Sequence, residues 1–128
     1  MITIGIASLP ERVNSLERTI DSLYLQADSI VCVLNGHKEM PPFEKKYPNV
    51  WFVLSDNSRG DSMKFFTVKE SSDYYVSWDD DLIAPEGVIE RLIEGVDKYN
   101  SVVSFHGKKY LAPVKDFKRW AGVGRCQS

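Results

Sequence analysis

Cysteine is scarce in this 128-residue chain: Cys32 stands in an apolar run and Cys126 near the C-terminal end. Neither has a neighbour at metal-site spacing and there is no framework of pairs, which excludes a disulfide scaffold or a structural zinc centre and predicts two free thiols in a reducing, cytoplasmic setting. Long apolar runs are also missing, since nothing approaches the roughly 20 residues that a membrane-spanning helix needs. The opening Met1-Ile2-Thr3-Ile4-Gly5-Ile6 has no basic stretch before its apolar residues, so it reads as a strand rather than a secretory leader. Excess positive charge is absent overall: the formal net charge is −2 and the sequence pI about 5.7, which argues against a nucleic-acid-binding protein. The length excludes a second full domain, and there are no internal repeats. The expected organisation is one domain, with a core over 1–107 and a basic tail over 108–128. That tail holds Lys108, Lys109, Lys115, Lys118, Arg119 and Arg125 against Asp116 alone, and contact with an anionic membrane surface is one use for it.

What the chain does have is an abrupt change of character at Tyr74-Tyr75-Val76-Ser77-Trp78-Asp79-Asp80-Asp81. Aromatic and β-branched residues predict a buried strand, and three carboxylates close it. In a parallel α/β sheet the ligand crevice lies beyond the carboxyl ends of the strands, so this charge falls where such a fold does its chemistry. Strand alternation sends Asp79 and Asp81 to one side and Asp80 to the other. Two ionised carboxylates about 4 Å apart repel by roughly 4 kcal/mol at an effective dielectric near 20. A counter-charge is therefore expected, and Mn²⁺ or Mg²⁺ suits oxygen ligands and substrate phosphates. A solvated acidic turn whose charges never meet is the competing reading.

The rest of the chain alternates strands and helices. Ile2 to Ala7 reads as a first strand, and Ser8-Leu9-Pro10-Glu11 as a capping box opening a helix with Val13, Leu16, Ile20, Leu23 and Tyr24 on one face, to about Gln26. Ile30 to Leu34 is a second strand, stopped by Asn35-Gly36, and a proline-rich loop follows over 37–49, with one helical turn at Phe43 to Tyr47. Val50 to Leu54 is a third strand. Ser55 to Gly60 makes a turn, and Asp61 is placed to cap a helix carrying Met63, Phe65, Phe66 and Val68. After the acidic strand, Pro85 opens a helix with Val88, Ile89, Leu92, Ile93 and Val96 as its stripe, and Ser101 to Phe105 reads as a fifth strand. The expected fold is α/β, a mostly parallel sheet of about five strands with helices on both faces. Past Gly107 no firm structure is expected. Its strand-to-helix turns bring Ser8, Arg12, Asn35, Asp56 to Lys64, the three aspartates and His106 to one edge.

Several segments together resemble a known family: Ile4-Gly5-Ile6-Ala7-Ser8-Leu9-Pro10-Glu11-Arg12; Asn35-Gly36; Gly60-Asp61-Ser62-Met63-Lys64-Phe65; Trp78-Asp79-Asp80-Asp81-Leu82-Ile83-Ala84-Pro85; and Phe105-His106-Gly107. Their order, over residues 2 to about 110, is similar to that of family 2-like glycosyltransferases of the Rossmann-like GT-A fold, chiefly their N-terminal donor-binding portion. The resemblance implies a nucleotide-diphospho-sugar donor (UDP- or similar), a carbohydrate or other hydroxyl acceptor, and Mn²⁺ or Mg²⁺ held against the diphosphate. It implies metal or ribose contacts from Asp79 and Asp81 and a nucleotide-site role for Lys64. Donor contacts are expected with them from Ser8, Pro10, Arg12, Asn35, Asp56, Gly60, Asp61 and Asp80, and a metal contact from His106; solvated side chains at Arg12 and Lys64 and a structural role for His106 are the competing readings. Closure of the basic tail over the diphosphate, with Trp120 near the sugar, is one expectation, and a solvated or membrane-skimming tail is the other. Asn35 stands where many relatives have an aspartate that reads the base. The family's second half supplies the acceptor site and, in inverting members, a carboxylate base; beyond the last helix Asp116 is the sole acidic candidate here.

Two other readings compete. One is a truncated, non-catalytic nucleotide-sugar-binding module that works with a partner chain. The other is a metal-dependent phosphate enzyme on a Rossmann-like edge. Against the last, the first strand ends in Ala7-Ser8 rather than an aspartate nucleophile, and no Gly-rich turn follows it.

Overall fold

Four parallel strands form the sheet in the order β3-β2-β1-β4: β1 (Ile2–Ser8), β2 (Ser29–Asn35), β3 (Val50–Ser55) and β4 (Tyr74–Asp79). The computed structural model describes residues 1–70, 73–105, 107–110 and 120–123, the last two stretches through their backbone alone. The chain divides into two compact units, Met1–Ile89 and Glu90–Ser128. In the first, β1 is central: Ile4 pairs with Ile30 of β2 on one side and with Val76 of β4 on the other. Ile4, Ile6, Ile30, Val33 and Leu34 are wholly buried, as a strand covered on both faces requires. The α/β class and the four first strands agree with the sequence reading. β4 differs from it, because among the described residues it pairs with β1 alone and its residues are half-buried or exposed rather than buried.

Helix α1 (Val13–Leu23) follows a single 3-10 turn at Pro10–Arg12 and ends in another at Tyr24–Gln26. Its inward stripe is Leu16, Thr19, Ile20 and Leu23, all wholly buried. The expected capping box does not form: Ser8 is the last residue of β1, and Leu9 and Arg12 precede the helical turns without a side-chain cap. The opposite face of β1 carries Gly5, and a 3-10 helix at Gly60–Phe65 lies directly over it.

That 3-10 helix replaces the α-helix expected from Asp61 to Val68. Asn35 Nδ2 donates to the Gly60 carbonyl at 2.8 Å and Tyr75 Oη to the Lys64 carbonyl at 2.5 Å. Those are the acceptors that α-helical bonds from Lys64 and Val68 would use. With the carbonyls taken, the backbone closes shorter bonds, Phe66 N to Met63 O and Val68 N to Phe65 O. Asp61 is consequently not the N-cap; Arg59 precedes the turn.

The loop over 37–49 is tied to α1 by Tyr47, 4% exposed, whose phenol donates to Asp21 Oδ1 at 2.6 Å. Lys46 lies 3.3 Å from both Glu17 and Asp21, and the Tyr24 and Tyr47 rings meet at 5.2 Å. Burial, then the Asp21 hydrogen bond and charge, push the Tyr47 phenol well above its ordinary value of 10.0. The folded chain thus favours the protonated phenol. Its contribution is fully present below about pH 10 and is lost as pH rises above that, because the unfolded chain releases the proton first. Urea titrations across pH 9 to 11 are expected to show stability falling with pH, and falling less steeply in Tyr47→Phe. Cys32 is wholly buried, and burial pushes its thiol up, so it is no nucleophile. Cys126 lies outside the described residues.

Helix α2 (Val88–Tyr99) begins three residues after Pro85, whose carbonyl accepts from Val88 N at 3.2 Å. In the second unit the run Ser101 to Phe105 is not a strand, contrary to its composition. Val103 lies against Gly95 of α2, Val102 is fully exposed, and β-propensity without a ladder partner makes no strand. The stretch past Gly107, to which the sequence pattern assigns no firm structure, holds β5 (Gly107–Tyr110) paired antiparallel with β6 (Trp120–Val123), Tyr110 opposite Trp120. Among the described residues, no helix is long and apolar enough to cross a membrane.

Candidate functional site

The strand order sets the location. β2 and β4 flank β1 on opposite sides, so the chain leaving β1 crosses toward one flank while β4 arrives on the other. Such a switch point opens a crevice beyond the carboxyl ends of the two strands. Ala7 is in register with Asp79, which brings Ser8 at the end of β1 beside the aspartates at the end of β4.

Asp80 is 4% exposed. Ser8 Oγ donates to its Oδ2 at 2.8 Å, Arg12 Nη1 to its Oδ1 at 3.0 Å, and Thr19 Oγ1 to its carbonyl at 2.9 Å. Arg12 Nη1 also stands 3.6 Å from Asp81 Oδ2. The hydrogen bond to Asp80, then the charges of Asp80 and Asp81, raise the Arg12 guanidinium further above an already high value. β4 ends at Asp79 and the chain turns, so Asp80 and Asp81 both come within reach of one guanidinium, while Asp80 is enclosed and Asp79 and Asp81 stay open, the division that strand alternation predicts.

Asp79 belongs to a second group. Lys64 Nζ lies 3.3 Å from Asp79 Oδ1 and 2.8 Å from Asp61 Oδ2, and the Asp61 hydrogen bond raises the ammonium against the opposing effect of burial. The 3-10 helix over Gly5 sets this reach, since Lys64 is fixed through its carbonyl by Tyr75. Gly60, at φ +55°, and Asn35 join the two loops, and the other amide atom of Asn35, Oδ1, is buried without a hydrogen-bond partner among the described residues. Pro10 stands close to Gly36 at the same edge. Asp56 accepts from Ser58 N at 2.9 Å within its own turn, a bond that lowers its carboxyl below the usual range. His106 and Asp116 lie outside the described residues, as does most of the basic tail.

The residues that hold this arrangement were not singled out in the sequence. Thr19 interrupts an apolar stripe, and a polar residue at an inward position signals a buried partner. One and two turns on, Ser22 Oγ accepts from Ala84 N at 2.9 Å, and Gln26 Nε2 donates to the Pro85 carbonyl at 3.1 Å while its Oε1 accepts from Ile89 N at 3.3 Å. One row running from α1 into the 3-10 turn after it thereby clamps the chain from Asp80 to Ile89. The Trp78 indole donates to the Leu82 carbonyl at 2.8 Å, and Leu82 and Ile83 are left exposed beside the carboxylates.

Among the described residues, no three His, Cys, Asp or Glu are grouped to hold a metal ion by themselves. The side chains of Asp79 and Asp81 are nonetheless about half exposed, at 53% and 52%, and each contacts its cation only at the longer distances of 3.3 and 3.6 Å. Hard oxygen donors of that kind fit a divalent cation whose remaining ligands come from phosphate and water. A scan against protein-family models matches none, and a search of curated proteins finds no match.

Proposed function

We propose that this chain is a metal-dependent glycosyltransferase domain of the GT-A type, or its donor-binding half, acting on a nucleotide-diphospho-sugar. What carries the reading is the meeting of three carboxylates with two fixed cations, Arg12 and Lys64, at the switch point between β1 and β4. A sheet edge so lined suits a ligand that combines a diphosphate with a divalent cation. Lys64 and Arg12 would stabilise negative charge growing on the departing nucleoside diphosphate as the sugar moves to an acceptor hydroxyl. Asp79 and Asp81 would hold the Mn²⁺ or Mg²⁺, which supplies charge neutralisation at the phosphates when bound. Ser8, Thr19 and Tyr75 keep the carboxylates and cations in place, and exposed Leu82 and Ile83 offer an apolar lip for an acceptor.

Calorimetric titration with UDP- and GDP-sugars, with and without Mn²⁺, tests this. Binding is expected to tighten by at least about ten-fold with Mn²⁺, and the gain to vanish in Asp79→Ala/Asp81→Ala. Absent or metal-indifferent binding by a folded sample would end the proposal. Release of free sugar or its transfer to an acceptor then separates an enzyme from a binding module, which turns nothing over.

A further inference from the structure

We infer that Asp80 is a positioning residue that aims the Arg12 guanidinium at the donor's diphosphate, leaving the cation to Asp79 and Asp81. This rests on the donor-binding reading above. Of the three adjacent carboxylates only Asp80 is enclosed, at 4% exposed, with each oxygen taken by a separate donor, Ser8 at 2.8 Å and Arg12 at 3.0 Å. Its carbonyl is held by Thr19 at 2.9 Å, so the backbone cannot swing it outward without breaking a buried bond. Turning such a group toward a metal would strip a buried charge of its partners, which is costly.

Arg12 is placed differently. Its side chain is 52% exposed, and both described ion pairs use Nη1. A guanidinium carries five N–H donors in one rigid plane, so a fork pinned at Nη1 still has donors for a phosphate oxygen, and the pin sets their direction. Asp81 meets the same nitrogen at 3.6 Å, beyond hydrogen-bond length, and is half exposed. Arrival of a diphosphate exchanges the Arg12 contact with Asp81 for one with a phosphate oxygen, while the Asp80 contact stays.

The test is calorimetric titration of UDP and GDP, with and without Mn²⁺, into wild type, Asp80→Asn, Arg12→Lys and the double variant. Each single variant is expected to bind nucleotide about ten- to hundred-fold more weakly, whether or not Mn²⁺ is present, the loss of one charge-assisted contact. The fold-gain produced by Mn²⁺ is expected to survive, and the double variant to bind no more weakly than Arg12→Lys, because the two residues act as a unit. Loss of the Mn²⁺ gain in Asp80→Asn would make Asp80 a metal ligand and overturn the assignment. Additive losses, or unchanged affinity in Arg12→Lys, would overturn it too. The Arg12→Lys arm stands by itself if Asp80→Asn does not fold. A wild type that binds neither nucleotide under either condition overturns the donor-binding reading, and this assignment with it; a wild type that binds while the variants match it overturns this assignment alone.

Discussion

Gly5→Ala is expected to destabilise the parallel sheet by more than about 3 kcal/mol, enough to lower Tm by more than about 10 °C. A Cβ built at Gly5 falls 1.9 Å from the Lys64 carbonyl oxygen and 2.1 Å from Tyr75 Oη. Neither can give way cheaply, since the first is backbone and the second is hydrogen-bonded to it at 2.5 Å. Overpacking commonly costs about 1–3 kcal/mol where side chains can shift. Here the 3-10 helix must lift off the sheet, adding roughly 1 kcal/mol for the lost hydrogen bond. Domains are stable by only about 5–15 kcal/mol, so a large part of the native margin is at stake. Urea denaturation with the Tyr75→Phe variant alongside separates the steric effect from the hydroxyl, and Tyr75→Phe is expected to lose only about 1 kcal/mol. Wild-type stability in Gly5→Ala would show that the segment bearing Lys64 is not seated on β1. Any partial lifting also withdraws Lys64 from Asp79, so the nucleotide binding proposed above should suffer before the fold is lost.

Ile20→Ala is the second large effect, expected at about 2–5 kcal/mol, against about 0.5–1.5 kcal/mol for Ile20→Val. Ile20 is wholly buried between neighbours on α1, Leu16, Thr19 and Leu23, that are wholly buried as well. Removing its branched end leaves a cavity next to Thr19, whose hydroxyl fixes the Asp80 carbonyl. The graded pair of variants, followed by urea denaturation, should give the larger loss for alanine by a clear margin. Equal and small losses would mean that α1 is loosely packed on the sheet, and the clamp from Thr19 to Gln26 would then have no rigid base.

The gathering of charge at the switch point was legible because strand composition is a local property. Ile2 to Ala7, Ile30 to Leu34, Val50 to Leu54 and the aromatic run before Asp79 each announce a strand, and the observed strands differ from those by a residue at most ends. Strands broken by helical patterns imply a parallel sheet, whose carboxyl edge collects Ser8, Asn35, Lys64 and the aspartates. The failures share one cause, which is competition by distant partners. Ser8 could have capped a helix, but Asp80, far along the chain, takes its hydroxyl. Residues 61–68 have a helical composition, but Asn35 and Tyr75 take the carbonyls. Ser101 to Phe105 has strand composition, and no neighbouring strand among the described residues pairs with it.

Periodicity and composition alone determined the α/β class, the four strands, the principal helices and the end of the strand at which charge gathers, because each depends on residues close together in the chain. Tertiary structure decided that Asp80 is enclosed while Asp79 and Asp81 stay half open, that Arg12 and Lys64 divide the three carboxylates between them, and that Gly5 is needed where Lys64 and Tyr75 cross. Burial and partner choice depend on which segments meet in space, and side chains some seventy positions apart, such as Ser8 and Asp80, carry no local trace of their meeting.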